Sequence, residues 1–315
     1  EEAQATQRPV IAVLPFDNLS GDAEQDYFVD GLTEDIIAAL SRFQHLAVIA
    51  RNSAFRYKGQ TIDVRAIGAE LGARYVVEGS IRRGGDIIRI IARLIDVESE
   101  TQIWSETFER ALTPENIFAI QDEVTARIAS TIGDTQGVIG IASMDDMRRG
   151  SPTSLASYDC VLRATEYMRI FADALRQPAR ECLENTVRAD PDYALAWSWL
   201  AEIYLDEYRR GLDPGPDLVT QALAAANKAV QLAPNDGRAY FAQANAFYYD
   251  DNLEAFSHAA ERALELNPYS ADTLIHLGHR FAYAGQWEKG LALVDKAIAI
   301  QPFHPLGAGF APYFF

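Results

Sequence analysis

The sequence predicts an α/β domain with element order βαβαβββα and a mixed sheet, followed by an all-α repeat array. Three observations carry this. An apolar run, Val10 to Phe16, ends at a polar turn with Ser20 and Gly21 and leads into a long amphipathic segment. Alternating segments between Tyr75 and Phe108 are joined by turn residues. Beyond residue 152 strand-like alternation ceases, and Pro234, Pro268 and Pro302 recur every 34 residues.

The elements follow in order. Phe28, Leu32, Ile36, Leu40 and Phe43 make one helical stripe, and Asp22 with Gln25 resembles a capping arrangement at its start. Acidic Asp22, Glu24 and Asp26 suit the positive end of that helix and would repel a phosphate, and the loop lacks the glycines and lysine of a phosphate cradle. Leu46 to Ala50 reads as a second strand, running into RNSAFRYKG, a basic loop. Asp63 caps a short helix that Gly72 closes. Tyr75 to Ile81 and Ile87 to Ile95 form a hairpin about Arg83-Gly84-Gly85-Asp86. A turn at Glu98–Glu100 leads to the strand of Ile103, Trp104 and Phe108. Thr113-Pro114 then opens a helix with Ile117, Ile120, Val124, Ile128 and Ile132 on its apolar face.

These readings divide the chain into a leader at 1–9, an α/β domain at 10–135, a linker at 136–152 and repeats at 153–315. The phrases KAVQLAPND, RALELNPYS and KAIAIQPFH end successive units. With their prolines in register, Tyr240 falls on Leu274, Ala244 on Gly278 and Phe247 on Phe281. This is the signature of a tetratricopeptide-repeat superhelix, in which each unit is a helix–turn–helix. Pro191 belongs to the series with a nine-residue insertion around RRGLDPGPD, and a degenerate helix pair precedes it from Tyr158 to Ala189. Phe256 stands where a small residue is usual, which predicts disturbed packing in its unit. The apolar terminus GAGFAPYFF begins at the phase of a further helix, so continuation past Phe315 or a cover over this segment is expected.

At 315 residues the chain has room for two cores, with 49 % hydrophobic residues. Its net charge of −17 argues against nucleic acid or anionic membrane as a partner of the whole chain. Residues 51–93 depart from this, with nine basic side chains against four acidic. A solvated face paired with nearby acids is the plain account of that block, and an anion or partner site is the sharper one. The sequence reads as a soluble module with no transmembrane segment; whether it is cytoplasmic or the extracytoplasmic part of a membrane-anchored protein stays open. Cys160 and Cys182 are expected as two free buried thiols, although their 22-residue separation puts a disulfide within geometric reach.

No nucleophile motif accompanies the five histidines, so no catalytic residue, cofactor or metal site is predicted. Two other sites are. Asn18 and Ser20 with Arg51, Asn52, Ser53, Arg56 and Lys58 lie on loops after consecutive strands, where an anionic small molecule or acidic surface could be held. Trp199, Glu202, Arg238, Phe241, Asn245, Tyr248, His276 and His279 fall on one face of successive first helices, a mixed aromatic and polar surface suited to an extended protein partner. Self-association through the apolar terminus or a strand edge is a further expectation.

The stretches 11–43, 48–59, 67–83, 93–110 and 117–129 resemble, in one collinear pass, a family similar to the amino-terminal domain of the bacterial protein TolB. In that family the domain is commonly followed by tetratricopeptide repeats. It is commonly preceded by a class III adenylate or guanylate cyclase, or by a winged helix of the CadC/ToxR-like kind. The resemblance implies the regulatory half of a bacterial signalling protein. Neither output domain is legible in this chain, and no ligand or catalytic residue carries over.

Overall fold

The computed structural model describes residues 8–22, 25–60, 63–113, 115–149, 156–212 and 217–302. It divides into two compact units, 1–133 and 134–315.

In the first unit the strands are β1 (Val10–Val13), β2 (Asp17–Asn18), β3 (Ala47–Val48), β4 (Tyr75–Gly84), β5 (Ile87–Asp96) and β6 (Thr101–Ala111). The order β3-β1-β4-β5-β6 is parallel among β3, β1 and β4 and antiparallel from β4 onward, with β2 parallel to β4. The mixed sheet is therefore present, but the order differs from βαβαβββα. The run Val10–Phe16 is two strand segments rather than one. Pro15 has no N–H to give the ladder, so pairing with β4 breaks after Leu14 and resumes at Asp17.

Helix α1 (Asp26–Leu40) buries Phe28, Leu32, Ile36 and Leu40 as their spacing predicts. It starts later than the capping reading placed it: Gln25 precedes it without a side-chain cap, and Asp22 contributes its backbone carbonyl to the Gln25 N–H. The basic stretch expected as a loop is instead α2 (Arg51–Ala54) and a 3-10 turn, Phe55–Tyr57. In α3 (Val64–Leu71) the Asp63 carboxylate accepts from the Arg65 N–H, and Gly72 closes the helix at φ 64°. The last helix, α4 (Ile117–Gly133), buries Ile120, Val124, Ile128 and Ile132; Pro114 of its expected start lies outside the described residues.

Tyr57 and Ile67 form a buried cluster with Ala12, Leu14 and Val76 on one sheet face. By strand alternation the fully buried Ile11, Val13 and Val77 occupy the other, towards α1 and α4. The Phe16 ring packs against Gly79 of β4, where an added Cβ would come within 2.4 Å of the ring and 2.5 Å of the Ile91 carbonyl oxygen. The ring could yield; the carbonyl belongs to the ladder and cannot. Gly79→Ala is thus expected to destabilise this unit by about 1–3 kcal/mol, read as faster hydrogen exchange in β4 and β5. Unchanged exchange would refute the overpacking argument.

The second unit is helical: α5 (Val138–Arg149), α6 (Ala156–Ile170), α7 (Asp173–Ala189), α8 (Ala194–Arg210), α9 (Leu218–Leu232), α10 (Gly237–Tyr249), α11 (Leu253–Leu266), α12 (Ala271–Tyr283) and α13 (Trp287–Ile300). The stretch expected as a linker, 136–152, is thus mostly helix, with Ile139 and Met144 buried. Asp134, just before it, accepts from the Ser270 hydroxyl at 2.6 Å and the Ala271 N–H at 2.9 Å, placing a carboxylate at the positive end of α12.

From α6 onward the helices pair in sequence, α8 with α9, α10 with α11, and α12 with α13, as tetratricopeptide-like repeats. Pro234, Pro268 and Pro302 each stand two residues beyond a second helix, which they cannot extend. Asp217, Asp236, Asn252 and Ser270 cap the following helices through their side chains. Gly278 is small because α13 is close: a Cβ there would lie 2.9 Å from the Gly290 carbonyl oxygen. Phe256 does not disturb its unit. It is fully buried, with its ring 4.8 Å from Phe281 and 5.6 Å from Tyr248, in a cluster whose remaining wall is largely alanine.

The cysteines are also not as expected. Cys160 on α6 and Cys182 on α7 form a disulfide across a Cα separation of 5.3 Å. The antiparallel helix pair brings the two positions face to face, which the spacing permitted and composition did not favour.

Candidate partner groove

In the first unit, β1 and β3 are parallel neighbours, so the loops bearing the predicted anion-site residues leave the same end of the sheet. The polar side chains of Asn18, Ser20, Arg51, Arg56 and Lys58 are already engaged within the fold. Asn18 Nδ2 donates to the Asp22 carbonyl and to Asp26 Oδ1, while Asn18 Oδ1 accepts from the Ser20 N–H. Ser20 Oγ accepts from the Arg83 N–H. Arg51 pairs with Glu34, Arg56 with Glu70 and Lys58 with Asp30. Arg51 also lies 4.0 Å over the Phe55 ring. Ser53 gives its carbonyl to Arg56 Nε, and Asn52 is exposed. Further along the basic block, Arg65, Arg74, Arg89 and Arg93 pair with Glu100, Asp96, Glu109 and Glu78.

In the second unit the first helices α6, α8, α10 and α12 lie side by side and line adjoining cavities. The largest, about 550 Å³, is walled by Phe171, Arg209, Arg210, His276, His279, Arg280 and Tyr283. It opens beside two smaller ones. Met168, Glu202, Leu205, Asp206, Asn245 and Tyr249 line one of these; Gln136, Arg169, Trp199, Arg238, Phe241 and Asp272 line the other. Phe171 and His276 border all three.

Seven of the eight groove residues named from sequence line these cavities. Tyr248 does not: it packs on Phe256 and Tyr249 beneath the Arg280 guanidinium. Arg238 is held between two rings, 4.0 Å from Trp199 and 4.7 Å from Phe241. Glu202 accepts from Asn245 Nδ2 at 3.0 Å in the buried floor. Two buried floor atoms, Trp199 Nε1 and Asn245 Oδ1, have no partner in the fold. His276 faces Asp272 at 3.6 Å. Burial pushes both imidazoles below their ordinary range, with Arg280 adding to the effect and Asp272 opposing it at His276. Positive charge in the groove therefore comes from arginine. Among the described residues no group of His, Cys, Asp and Glu could hold a metal ion.

Known proteins bear on each part of the chain. The chain matches the family model for the second domain of HilA/YgeH-like transcriptional regulators over residues 6–127. A curated relative, Putative adenylate cyclase 3 of Rhizobium meliloti (strain 1021), is 39 % identical over 259 residues. That alignment covers 81 % of this chain and 43 % of the relative, so the chain spans less than half of that protein's length. Among solved structures, a thermophilic TPR protein of Thermus thermophilus has 17 % identity and a TM-score of 0.45, covering 63 % of this chain and 93 % of that one. YrrB, described as a TPR protein with an unusual peptide-binding site, has 20 % identity and a TM-score of 0.36, covering 62 % and 95 %. TolB of Acinetobacter baumannii has 20 % identity and a TM-score of 0.28, covering 39 % and 27 %. These TM-scores are too low to carry function across.

Sequence reasoning missed Phe171, Arg209, Arg210, Arg280 and Tyr283. Arg280 was within reach, one helical turn after His276 on the same face. Phe171 follows α6 in a left-handed backbone conformation, φ 54°, and only the packed fold brings it to the groove.

Burial holds the Glu202 carboxyl above the usual carboxylate range, against the pull of Arg238 and the bond from Asn245. A folded-state value raised in this way stabilises the fold fully below the unfolded value of about 4.3, and that stability is lost as pH rises through the folded value. Glu202→Gln retains the acceptor and removes the cost of ionisation. The variant is expected to melt above the wild type at neutral pH, the difference closing as pH falls to about 4. A gap that widens on acidification would reverse the assignment.

Proposed function

We propose that this chain is the non-catalytic regulatory and interaction portion of a bacterial signalling protein, and that the repeat groove binds a protein partner in extended form. The carrying observation is the row of cavities along α6, α8, α10 and α12, with stacked arginines and unpartnered polar atoms in its floor. Rings give contact area and guanidinium groups give directional hydrogen bonds, the mixture that peptide-binding surfaces use. Panning a displayed library of short random peptides against the 315-residue chain tests this. Enriched binders should lose affinity for Tyr283→Ala, which alters an exposed groove side chain. No enrichment, or binding indifferent to that substitution, would remove the groove reading.

Two output activities compete for the complete protein. The 39 % identity to the Rhizobium relative favours the regulatory part of an adenylate or guanylate cyclase whose catalytic domain precedes Glu1. The match at residues 6–127 favours the sensor part of a transcription regulator with a winged helix. In both, the first domain is TolB-like and the present chain turns over neither ATP nor GTP. Turnover by these residues alone would overturn the non-catalytic reading, and the coding sequence upstream of Glu1 separates the two outputs. An anionic ligand at the first domain is a subordinate part of the proposal, because Arg51, Arg56 and Lys58 already face carboxylates. Calorimetric titration with nucleotides should show saturable heat if it is right.

A further inference from the structure

The α/β unit carries the two most exposed aromatic side chains among the described residues, on neighbouring helices. Tyr27 of α1 is 75 % exposed and Phe118 of α4 is 65 % exposed. Two close approaches show how these helices run. A Cβ on Gly31 of α1 would lie 2.9 Å from Gln121 Nε2 of α4, and one on Gly133 would lie 2.7 Å from the Phe43 ring. The same length of chain separates the two contacts on each side, so α1 and α4 are parallel and in step. Tyr27 stands one turn before Gly31 and Phe118 one turn before Gln121, on the faces that meet. The two aromatic residues therefore stand together at the amino-terminal end of the α1–α4 seam.

Two carboxylates follow along the same seam, Asp35 one turn after Gly31 and Asp122 beside Gln121. They are near enough to interact. Burial, Asp122 and Glu34 all raise the Asp35 carboxyl above its ordinary range, and no cation opposes them. The neighbouring acids are satisfied, Asp30 by Lys58, Glu34 by Arg51 and Glu123 by Arg110. Among the described residues, Asp35 and Asp122 have no ion pair. A solvated helix face is the plain account of these carboxylates. It gives no reason for two largely exposed rings beside them.

We propose that the α1–α4 seam docks a basic amphipathic helix of a partner protein. The apolar side of that helix lies on Tyr27 and Phe118, and a lysine or arginine faces Asp35 and Asp122. Charge selects the occupant. An anionic membrane or a nucleic acid would be repelled by the two free carboxylates and by the chain's net −17. A second copy of this chain, docked through the same face about a two-fold axis, would double the negative charge in the interface. The geometry favours a helix over an extended strand. Gly31 keeps the floor of the seam low, and its aromatic and acidic ends lie along parallel helix axes. Tyr27 and Asp35 are about 12 Å apart along α1, close to two turns, so a helical partner meets both from one face. Exposed rings are the usual anchors of such a contact, and the charges set its partner and register.

Panning a displayed library of helical peptides against the full 315-residue chain, followed by affinity measurement, tests this. Enriched sequences should share an apolar residue with a lysine or arginine about two turns away. Tyr27→Ala and Phe118→Ala should each weaken binding about tenfold. Both side chains are exposed, so these variants should melt like the wild type, which separates recognition from folding. Asp35→Asn combined with Asp122→Asn should weaken binding about two- to fivefold, a difference that closes as salt rises. Tyr283→Ala should leave the affinity unchanged, which separates this surface from the groove. No binder sensitive to Tyr27→Ala or Phe118→Ala, or enriched helices that are neutral or acidic, would overturn the proposal and leave the groove reading standing. A concentration-dependent dimer in sedimentation that Phe118→Ala abolishes would overturn it in favour of a second copy. Co-sedimentation with phosphatidylglycerol vesicles, lost in the same variant, would overturn it in favour of a membrane.

Discussion

Replacing Glu207 by alanine is expected to be among the most damaging single changes in the repeat unit, lowering stability by about 3–5 kcal/mol. Glu207 lies on α8 with its side chain wholly inaccessible. One carboxylate oxygen pairs with Arg176 at 2.5 Å and the other with Arg180 at 2.6 Å, both from α7. The arginine side chains are 22 % and 18 % exposed, so water screens them poorly. Arg180 also pairs with Glu184 at 2.8 Å and lies 5.0 Å over the Tyr204 ring. Removing the shared carboxylate leaves Arg176 without its anion and Arg180 with one of two, at a helix interface that cannot solvate them.

The argument concerns loss of a partner, not the worth of the network. Assembling buried charges costs desolvation that their attraction only roughly offsets. A triple replacement of Arg176, Glu207 and Arg180 by apolar residues of similar length should therefore recover most of what Glu207→Ala loses. Denaturant unfolding of the single and triple variants, followed by helical circular dichroism, measures both. A single variant within about 1 kcal/mol of the wild type would mean that the network behaves as a surface ion pair despite its burial.

What the sequence made legible follows from how locally each feature is determined. The stripe of α1 and the Asp63 and Gly72 ends of α3 depend on residues a few positions apart, and periodicity and capping chemistry reveal them. The repeat register depends on a proline that cannot extend a helix, and it too is local. Pro15 splitting the first strand was readable in principle, because a missing N–H is a property of one residue, yet the continuous apolar run masked it. The linker at 136–152 misled because its glycines and paired charges resemble a loop, whereas tertiary burial of Ile139 and Met144 holds the chain in a helix. In the groove, positions on the face of a single helix were predictable one helix at a time. What Phe171, Arg209 and Arg280 do together was not, because they come from three helices or their ends and meet only after packing. The basic block shows the converse. Its positive charge is evident in sequence, and only the fold reveals Glu34, Glu70 and Asp30 opposite it.

Breaking the Cys160–Cys182 bond is expected to cost the repeat unit about 3 kcal/mol, from the unfolded-state entropy that a 22-residue closed loop removes. The effect should be local to α6 and α7. This pair begins the repeat array, and its cluster includes Tyr167, Ala179 and Leu183. Tyr167 donates to Asp206 on α8 and accepts from Arg210, so a loosened α6 withdraws support from the residues at the end of α8. Burial and the Asp206 carboxylate push the Tyr167 phenol up to about 12, so it keeps its proton and remains a donor to Asp206 through the neutral range. Phe171, one residue past α6, borders all three cavities described above. Reduction should thus do two things together: lower the first unfolding transition and weaken groove binding, without shifting the melting of the α/β unit. Cys160→Ser in non-reducing buffer should reproduce both effects. A thiol titre of two per chain in protein prepared without reductant, or a melting curve indifferent to reductant, would show that the bond does not stabilise the array. A lowered transition with unchanged peptide affinity would instead confine its role to the helix pair, leaving Phe171 held by the packing of α6 alone.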